Sequence, residues 1–288
     1  MKEEKLDLKT FIDRCCKREC NLPIIEKNLP GFSCIKMLGE GSFGTTFLMA
    51  NRKGERIALK VIQGEDSKTI KNEKNILKKL SSSCSQRRLL CYKDKFQEGK
   101  LTFIVTEFLD GLSLSDYNFS KKPEILYKVF AQLIDAVEYI HHLGIIHFDI
   151  KPDNIMITKD GNIKLIDFGG ASMKNFFGKV SVSAYTKYFS PKNAQSLMKF
   201  ETGRYFDWYT VITTAMYLIG TLDKVPKDLG YLKKMKKSDI KADISILLEI
   251  SKMKKILDTH IRSKSKSFLS KNFKYNTRKI LQNKMKTV

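Results

Sequence analysis

The spacing of apolar positions changes period several times along the chain, and each change marks an element. From Phe32, CIKML and TTFLMA read as strands on either side of a glycine-rich turn, and RIALKVI is a third strand reached through the turn NRKG. TIKNEKNILKKL switches to helical spacing: Ser67 is placed to cap it, and Ile70, Glu73, Leu77 and Leu80 share one stripe. Glu73 therefore points inward and needs a partner. LTFIVTEF returns to strand spacing and ends near Asp110-Gly111, after which EILYKVFAQLIDAVEYIHHL is a long amphipathic helix closed by Gly144. IMIT and IKLI are two further apolar strands joined by KDGN, whose Asp160-Gly161 is a hairpin turn signal. Ahead of all this, LKTFIDRCCKREC is a short amphipathic stretch followed by Pro23 and Pro30, a lead-in expected to pack outside the main domain. The pattern predicts an α+β class, a small antiparallel sheet with one helix and then a mainly helical part.

Composition narrows the classes. With 288 residues, of which 42% are apolar, the chain has enough material for a sizeable core and is not of disordered type. MKEEKLDLK lacks the apolar stretch of a signal peptide, and the run from Val211 to Leu222 is too short to span a bilayer, so an intracellular protein, cytoplasmic or nuclear, is expected. The six cysteines, Cys15, Cys16, Cys20, Cys34, Cys84 and Cys91, show no regular pairing, which predicts free thiols in a reducing compartment rather than a zinc site. The net charge of +22 creates a field that attracts nucleic acid, anionic surfaces or acidic proteins. Part of the excess is late: the stretch 257–288 has nine Lys or Arg against Asp258 alone, a solvated tail or a contact for nucleic acid or an anionic surface. KKMKK, Lys233 to Lys237, is either a lysine-rich surface or a nuclear import signal.

Three constellations carry chemistry. LGEGSFGTTF holds Gly39, Gly41 and Gly44 in GxGxxG spacing, but strand-forming residues follow the last glycine, so the glycines cap a hairpin instead of opening a dinucleotide-binding helix. Lys60, in an apolar strand, and Glu73, on the inward stripe of the next helix, would each be costly to bury alone, and pairing resolves both. The hairpin IMIT–IKLI brings Asn154 and Asp167 together at its open end, where an amide oxygen and a carboxylate make a hard-oxygen site suited to Mg²⁺ carrying phosphates.

With the glycine-rich turn, IALK, HFDIKPDN and DFG in hand, the chain resembles the protein kinase family from about Phe32 to Gly220. The resemblance implies a two-lobed protein kinase fold and the cofactors ATP and Mg²⁺. By it, Leu38, Gly39, Glu40, Gly41, Ser42, Phe43 and Gly44 cover the nucleotide, with Thr46 where the family prefers valine, and Ala58 and Met156 enclose adenine. Thr106 looks like the gatekeeper, and Glu107 to Leu109 like the hinge that meets adenine through backbone groups. Lys60 and Glu73 resemble the pair that positions the α- and β-phosphates. Asp149 matches the aspartate that accepts the substrate hydroxyl's proton, and Lys151 the lysine that steadies the transferred phosphate, while Asn154 and Asp167 match the metal ligands. His147 and Phe168 should stack in the core with Leu77, and Thr186 should contact the catalytic loop. DIKPDN resembles the serine/threonine form of that loop.

Departures accompany the match. Lys192 stands where the family has the glutamate of Ala-Pro-Glu, and the stretch joining Lys60 to Glu73 is shorter than the family's. Phe148 replaces the arginine that receives an activation-loop phosphate, so activity without such phosphorylation is expected, the loop being held by Phe176, Phe177 or Tyr185 packed against Phe148. The implied domains are a lead-in (1–31), a kinase domain (32–256, with lobes at about 32–106 and 112–256 and a hinge at 107–111) and a basic tail (257–288). The implied function is serine/threonine protein phosphorylation by a monomer, on substrates that include acidic ones. A pseudokinase acting as a nucleotide-binding scaffold is the alternative, and a small-molecule phosphotransferase a third class.

Overall fold

The computed structural model describes residues 7–16, 22–41, 44–64, 68–119, 125–191 and 197–218. They fall into two compact units that divide after Asp110.

The first unit opens with α1 (Leu8–Cys16) and the short α2 (Pro23–Asn28). Strands β1 (Phe32–Gly41), β2 (Gly44–Asn51) and β3 (Arg56–Gln63) follow, then α3 (Lys68–Leu80), β4 (Tyr92–Glu98) and β5 (Leu101–Glu107). The five strands form one antiparallel sheet in the order β1-β2-β3-β5-β4. Because side chains alternate across a strand, register decides which face each residue serves. Leu59 pairs with Phe47 and Val105, and these lie with Met49, Ile57, Val61 and Phe103 in one apolar core. The segment before Phe32 is not set outside that core. Phe11 of α1 is wholly buried, 5.5 Å from the ring of Phe47 and 5.4 Å from that of Phe103. Its stretch is amphipathic because it closes a sheet face. The other face carries Thr46 opposite Lys60 and Ala58 opposite Thr106. The expected inward stripe of α3 is present, with Ile70, Glu73, Leu77 and Leu80 all buried, while Ser67 lies outside the described residues.

Cysteine chemistry differs from the sequence expectation. Cys84 and Cys91 form a disulfide, and Cys15 is disulfide-bonded as well, whereas Cys34 keeps its thiol and is buried. The turn after α3 brings the Cα atoms of Cys84 and Cys91 to 5.2 Å, within bridging range, which their irregular spacing does not reveal.

The second unit contains β6 (Gly111–Ser113), α4 (Ile125–His142), β7 (Ile145–Ile146), a 3₁₀ turn at Pro152–Asn154, β8 (Ile155–Thr158) and β9 (Ile163–Leu165). Then come β10 (Ser172–Met173), β11 (Lys179–Ser181), β12 (Leu197–Lys199) and α5 (Phe200–Leu218). The hairpin β8–β9 is closed by Asp160, whose carboxylate accepts from the Thr158 hydroxyl and the Asn162 amide; these bonds hold its carboxyl below the usual range. α5 is buried nearly all round from Tyr205 to Ala215, the signature of a helix inside a core rather than on its surface. Among the described residues, no helix is long and apolar enough to cross a membrane.

Candidate active site

In the first unit, the antiparallel pairing of β1 and β2 sets Gly39 opposite Thr46, Glu40 opposite Thr45 and Gly41 opposite Gly44. Leu38 is 40% exposed on β1, and Ser42 and Phe43 lie outside the described residues. Gly44 adopts φ +123°, and a Cβ there would stand 2.4 Å from the carbonyl oxygen of Val61, so the turn needs glycine on both counts. Lys60 Nζ donates to Glu73 Oε1 at 2.8 Å, with both side chains largely shielded from water. A buried pair of this kind loses much if one partner is removed and gains little over two apolar residues, so it is better explained by a task than by stability. Along the same face stand Thr46, Ala58 and the buried Thr106. Glu107 is braced against Cys91 twice: its N–H donates to the Cys91 carbonyl, and its Oε1 accepts from the Cys91 N–H, each at 2.9 Å. Leu109 follows, half-buried, in irregular backbone.

The second unit gathers the remaining polar candidates around Asp149, which is 6% exposed. Its Oδ1 accepts the backbone N–H of Thr186 at 2.9 Å, and its Oδ2 receives Lys151 Nζ and Asn154 Nδ2, both at 3.0 Å. Lys151 Nζ also donates to Thr186 Oγ1 at 2.8 Å. Asn154 Nδ2 makes a further bond to the Asp149 carbonyl at 2.8 Å, which fixes the amide through its nitrogen. Across the hairpin mouth, Ile166 N–H donates to the Asn154 carbonyl at 2.9 Å, so Asp167, the next residue, stands beside Asn154. Asp167 adopts φ +58°, which for a non-glycine residue means the surroundings hold it against its own preference. An amide oxygen and a carboxylate form a donor set that fits Mg²⁺, which takes few protein ligands and shares the rest with phosphate and water. Met156 is half-buried on β8. His147 and Phe168 are in ring contact at 4.9 Å.

Asp207 carries more of this arrangement than the sequence disclosed. Fully buried on α5, it accepts the N–H of His147 through Oδ2 (2.9 Å) and that of Phe148 through Oδ1 (2.8 Å), and it pairs with His141 Nε2 at 2.8 Å. One carboxylate thus ties α4, α5 and the loop bearing Asp149. Sixty positions separate Asp207 from His147, and no local pattern marks such a link.

Phe148 is wholly buried at φ +66° and packs with Ile146, Val180, Met198, Phe200 and Phe206, with Val182 and Tyr185 against the same cluster. Its ring lies 5.2 Å from that of Phe206, which in turn lies 5.5 Å from Tyr185. Of the three aromatics expected to hold the loop, Tyr185 is there, but Phe176 and Phe177 are 98% and 79% exposed and are not part of the cluster. Lys192 lies outside the described residues.

Comparison with known proteins adds an independent line. The sequence profile of the protein kinase domain matches residues 32–285. A probable serine/threonine-protein kinase of Dictyostelium discoideum is 36% identical over 148 residues, covering 49% of this chain and 32% of the relative. Cell division control protein 7 of Schizosaccharomyces pombe is 33% identical over 162 residues, 54% of this chain and 15% of the relative. The human cAMP-dependent protein kinase catalytic subunit PRKX is 29% identical over 197 residues, 64% of this chain and 52% of the relative. The chain thus spans about half or less of the length of each of these relatives.

Proposed function

Since this chain belongs to the protein kinase family, whose members use ATP and Mg²⁺, we propose that it is itself a working serine/threonine protein kinase. The observation that carries the reading is the set of bonds around Asp149: a carboxylate oriented by Thr186, Lys151 and Asn154, next to a hard-oxygen pair. In the proposed reaction the hydroxyl oxygen of a protein Ser or Thr bonds to the γ-phosphorus of ATP. The bond from that phosphorus to the β-bridging oxygen breaks, ADP leaves, and the hydroxyl proton passes to Asp149. Lys151 steadies the transferred group, and Lys60, oriented by Glu73, meets the α- and β-phosphates. Asn154 and Asp167 hold Mg²⁺, which when bound neutralises charge on the phosphates. The glycine-rich strands, Thr46, Ala58, Thr106, the backbone from Glu107 to Leu109, and Met156 enclose the nucleotide.

Two finer points belong to the same reading. The buried Phe148 offers no charge to a phosphate, so the activation segment is held by packing with Val180, Tyr185 and Phe206, and activity does not wait on its phosphorylation. The net charge of +22 favours acidic substrates or anionic partners, nucleic acid among them, for an intracellular monomer; the basic tail lies outside the described residues.

The experiment is phosphorylation of casein or histone by the purified chain and by Asp149→Asn, repeated across ionic strength and after phosphatase treatment. Transfer that vanishes in Asp149→Asn, survives phosphatase and slows with salt is the expected result. Undiminished transfer in Asp149→Asn would sink the assignment of the proton acceptor. Nucleotide binding without transfer in the unaltered chain would establish a pseudokinase instead.

A further inference from the structure

Phe176 and Phe177 occupy a turn built to present them. Asn175 Oδ1 accepts the N–H groups of Phe177 (3.0 Å) and Lys179 (2.9 Å). The Asn175 N–H donates to the Lys179 carbonyl (2.9 Å), and the Gly178 N–H to the Asn175 carbonyl (3.0 Å), with Gly178 at φ +65°. Both flanks are anchored: Phe200 N–H donates to the Gly178 carbonyl, and Lys174 N–H to the Gly144 carbonyl. The two rings meet edge to face at 5.6 Å and project from a fixed base. Exposure of 98% and 79% is far beyond what a folded chain gains from its own packing, and here two large rings share one tip.

The segment that carries the tip is basic, and the first acid after it is Glu201. From Phe168 to Phe200 the sequence contains no acid and five lysines: Lys174, Lys179, Lys187, Lys192 and Lys199. On the ribbon behind the turn, Val180 and Met198 face inward, while Lys179 pairs directly with Lys199 and both are exposed. Like charges opposite each other on a ladder destabilise it, and an anion over the pair relieves the cost.

We propose that this turn is a membrane-docking element: Phe176 and Phe177 enter the interface of a bilayer containing anionic phospholipid, and Lys179 and Lys199 lie on its headgroups. Three observations select a bilayer over a protein groove or a nucleic acid. The two rings stand 98% and 79% exposed on one turn, an arrangement that a fluid interface accepts without a matching socket. The N–H groups of Asn175, Phe177, Gly178 and Lys179 are satisfied within the turn, which lowers the cost of entering a medium poor in water. Aromatic rings flanked by lysine are the chemistry of interfacial binding, with the rings at the acyl boundary and the ammonium groups at the surface. The catalytic reading is not needed for this inference.

The test is co-sedimentation of the full chain with vesicles of phosphatidylcholine alone and of phosphatidylcholine mixed with phosphatidylserine. Binding to the mixed vesicles, weakened by salt, is expected. The double variant Phe176→Ser, Phe177→Ser should bind them about tenfold or more weakly, since two apolar rings no longer leave water. Its circular dichroism and unfolding temperature should match the unaltered chain. Equal binding by the double variant overturns the proposal and leaves the attraction to general positive charge. Failure of the unaltered chain to bind phosphatidylserine vesicles overturns it too, and retention on an acidic protein or an oligonucleotide that the double variant then loses would identify the occupant instead. A second readout is Phe177→Trp with brominated lipid. The natural Trp208 is buried, so the new indole supplies the quenched signal, and its remaining unquenched on bound protein overturns insertion.

Discussion

Replacing Phe148 by arginine, the residue the family carries there, tests whether the loss of that arginine is built into the packing. Phe148 is 0% exposed, and its cluster partners Ile146, Val180, Met198, Phe200 and Phe206 are apolar. Asp207, the carboxylate bonded to the backbone N–H of Phe148, already receives three hydrogen bonds. Phe148→Arg forfeits about 2 kcal/mol of ring burial. It also brings an unpaired guanidinium out of water, at a cost of several kcal/mol. The sum is at least about 4 to 6 kcal/mol, and for a domain of this size each kcal/mol lowers the midpoint by roughly 2–4 °C, so the unfolding temperature should fall by about 10–20 °C. Phe148→Leu keeps the cluster apolar and should cost less than about 1.5 kcal/mol. Thermal unfolding of both variants measures this, and casein phosphorylation before and after phosphatase measures its consequence: the leucine protein stays active and indifferent to phosphatase. An arginine protein that melts with the unaltered chain and loses activity on phosphatase treatment would refute the reasoning, because the site would then accept a cation and use it to receive a loop phosphate.

Thr186→Val removes the hydroxyl that accepts from Lys151 but keeps the backbone bond to Asp149. It should lower kcat/KM about 10- to 100-fold, as a lost hydrogen bond to a charged group implies, with Thr186→Ser restoring it and the unfolding temperature unchanged. Lys60→Met should abolish transfer and also destabilise by about 3–5 kcal/mol, because the buried Glu73 loses the cation paired with it at 2.8 Å; denaturant unfolding measures the second effect. Asp167→Ala should end both transfer and the Mg²⁺ dependence of ATP binding, followed by nucleotide titration with and without the metal. Gly44→Ala should destabilise by about 1–3 kcal/mol through the strained φ and the clash with Val61, and a variant of equal stability would show that the turn relaxes.

What the sequence disclosed follows from the range over which each signal acts. Asp160-Gly161 fixes the hairpin β8–β9 locally, and with it the adjacency of Asn154 and Asp167. The stripe of α3 and the alternation of β3 likewise make Glu73 and Lys60 meet. β4 escaped notice because it is an edge strand in which Phe96 is the one buried side chain, so it lacks apolar alternation. α5 is enclosed on nearly every side and has no polar face to set a helical period; its apolar run at Val211 was visible, but its start at Phe200 was not. Phe11 looked like part of an appended helix because only the folded sheet shows the apolar face it covers. The missed role of Asp207 is of the same kind, since its partners lie 59 to 66 positions away.

Asp207 also explains how the arginine could be exchanged without disturbing the proposed chemistry. The backbone at Phe148 is left-handed, a conformation that costs a non-glycine residue about 1–2 kcal/mol, and the bonds from the N–H groups of Phe148 and His147 to Asp207 hold it there. Asp149, one residue on, is then placed by its N–H bond to His147 Nδ1 and by its contacts with Thr186, Lys151 and Asn154. None of these bonds uses the side chain at position 148. On the proposed reading, what an arginine contributes from that position is a hold on the activation segment, and the packing of Val180, Tyr185 and Phe206 takes its place. A segment held in this way has no phosphate to release it. Control, on the proposed reading, therefore passes from the folding of the segment to where the protein is brought, and the Phe176–Phe177 tip is a part of the segment that packing leaves outside.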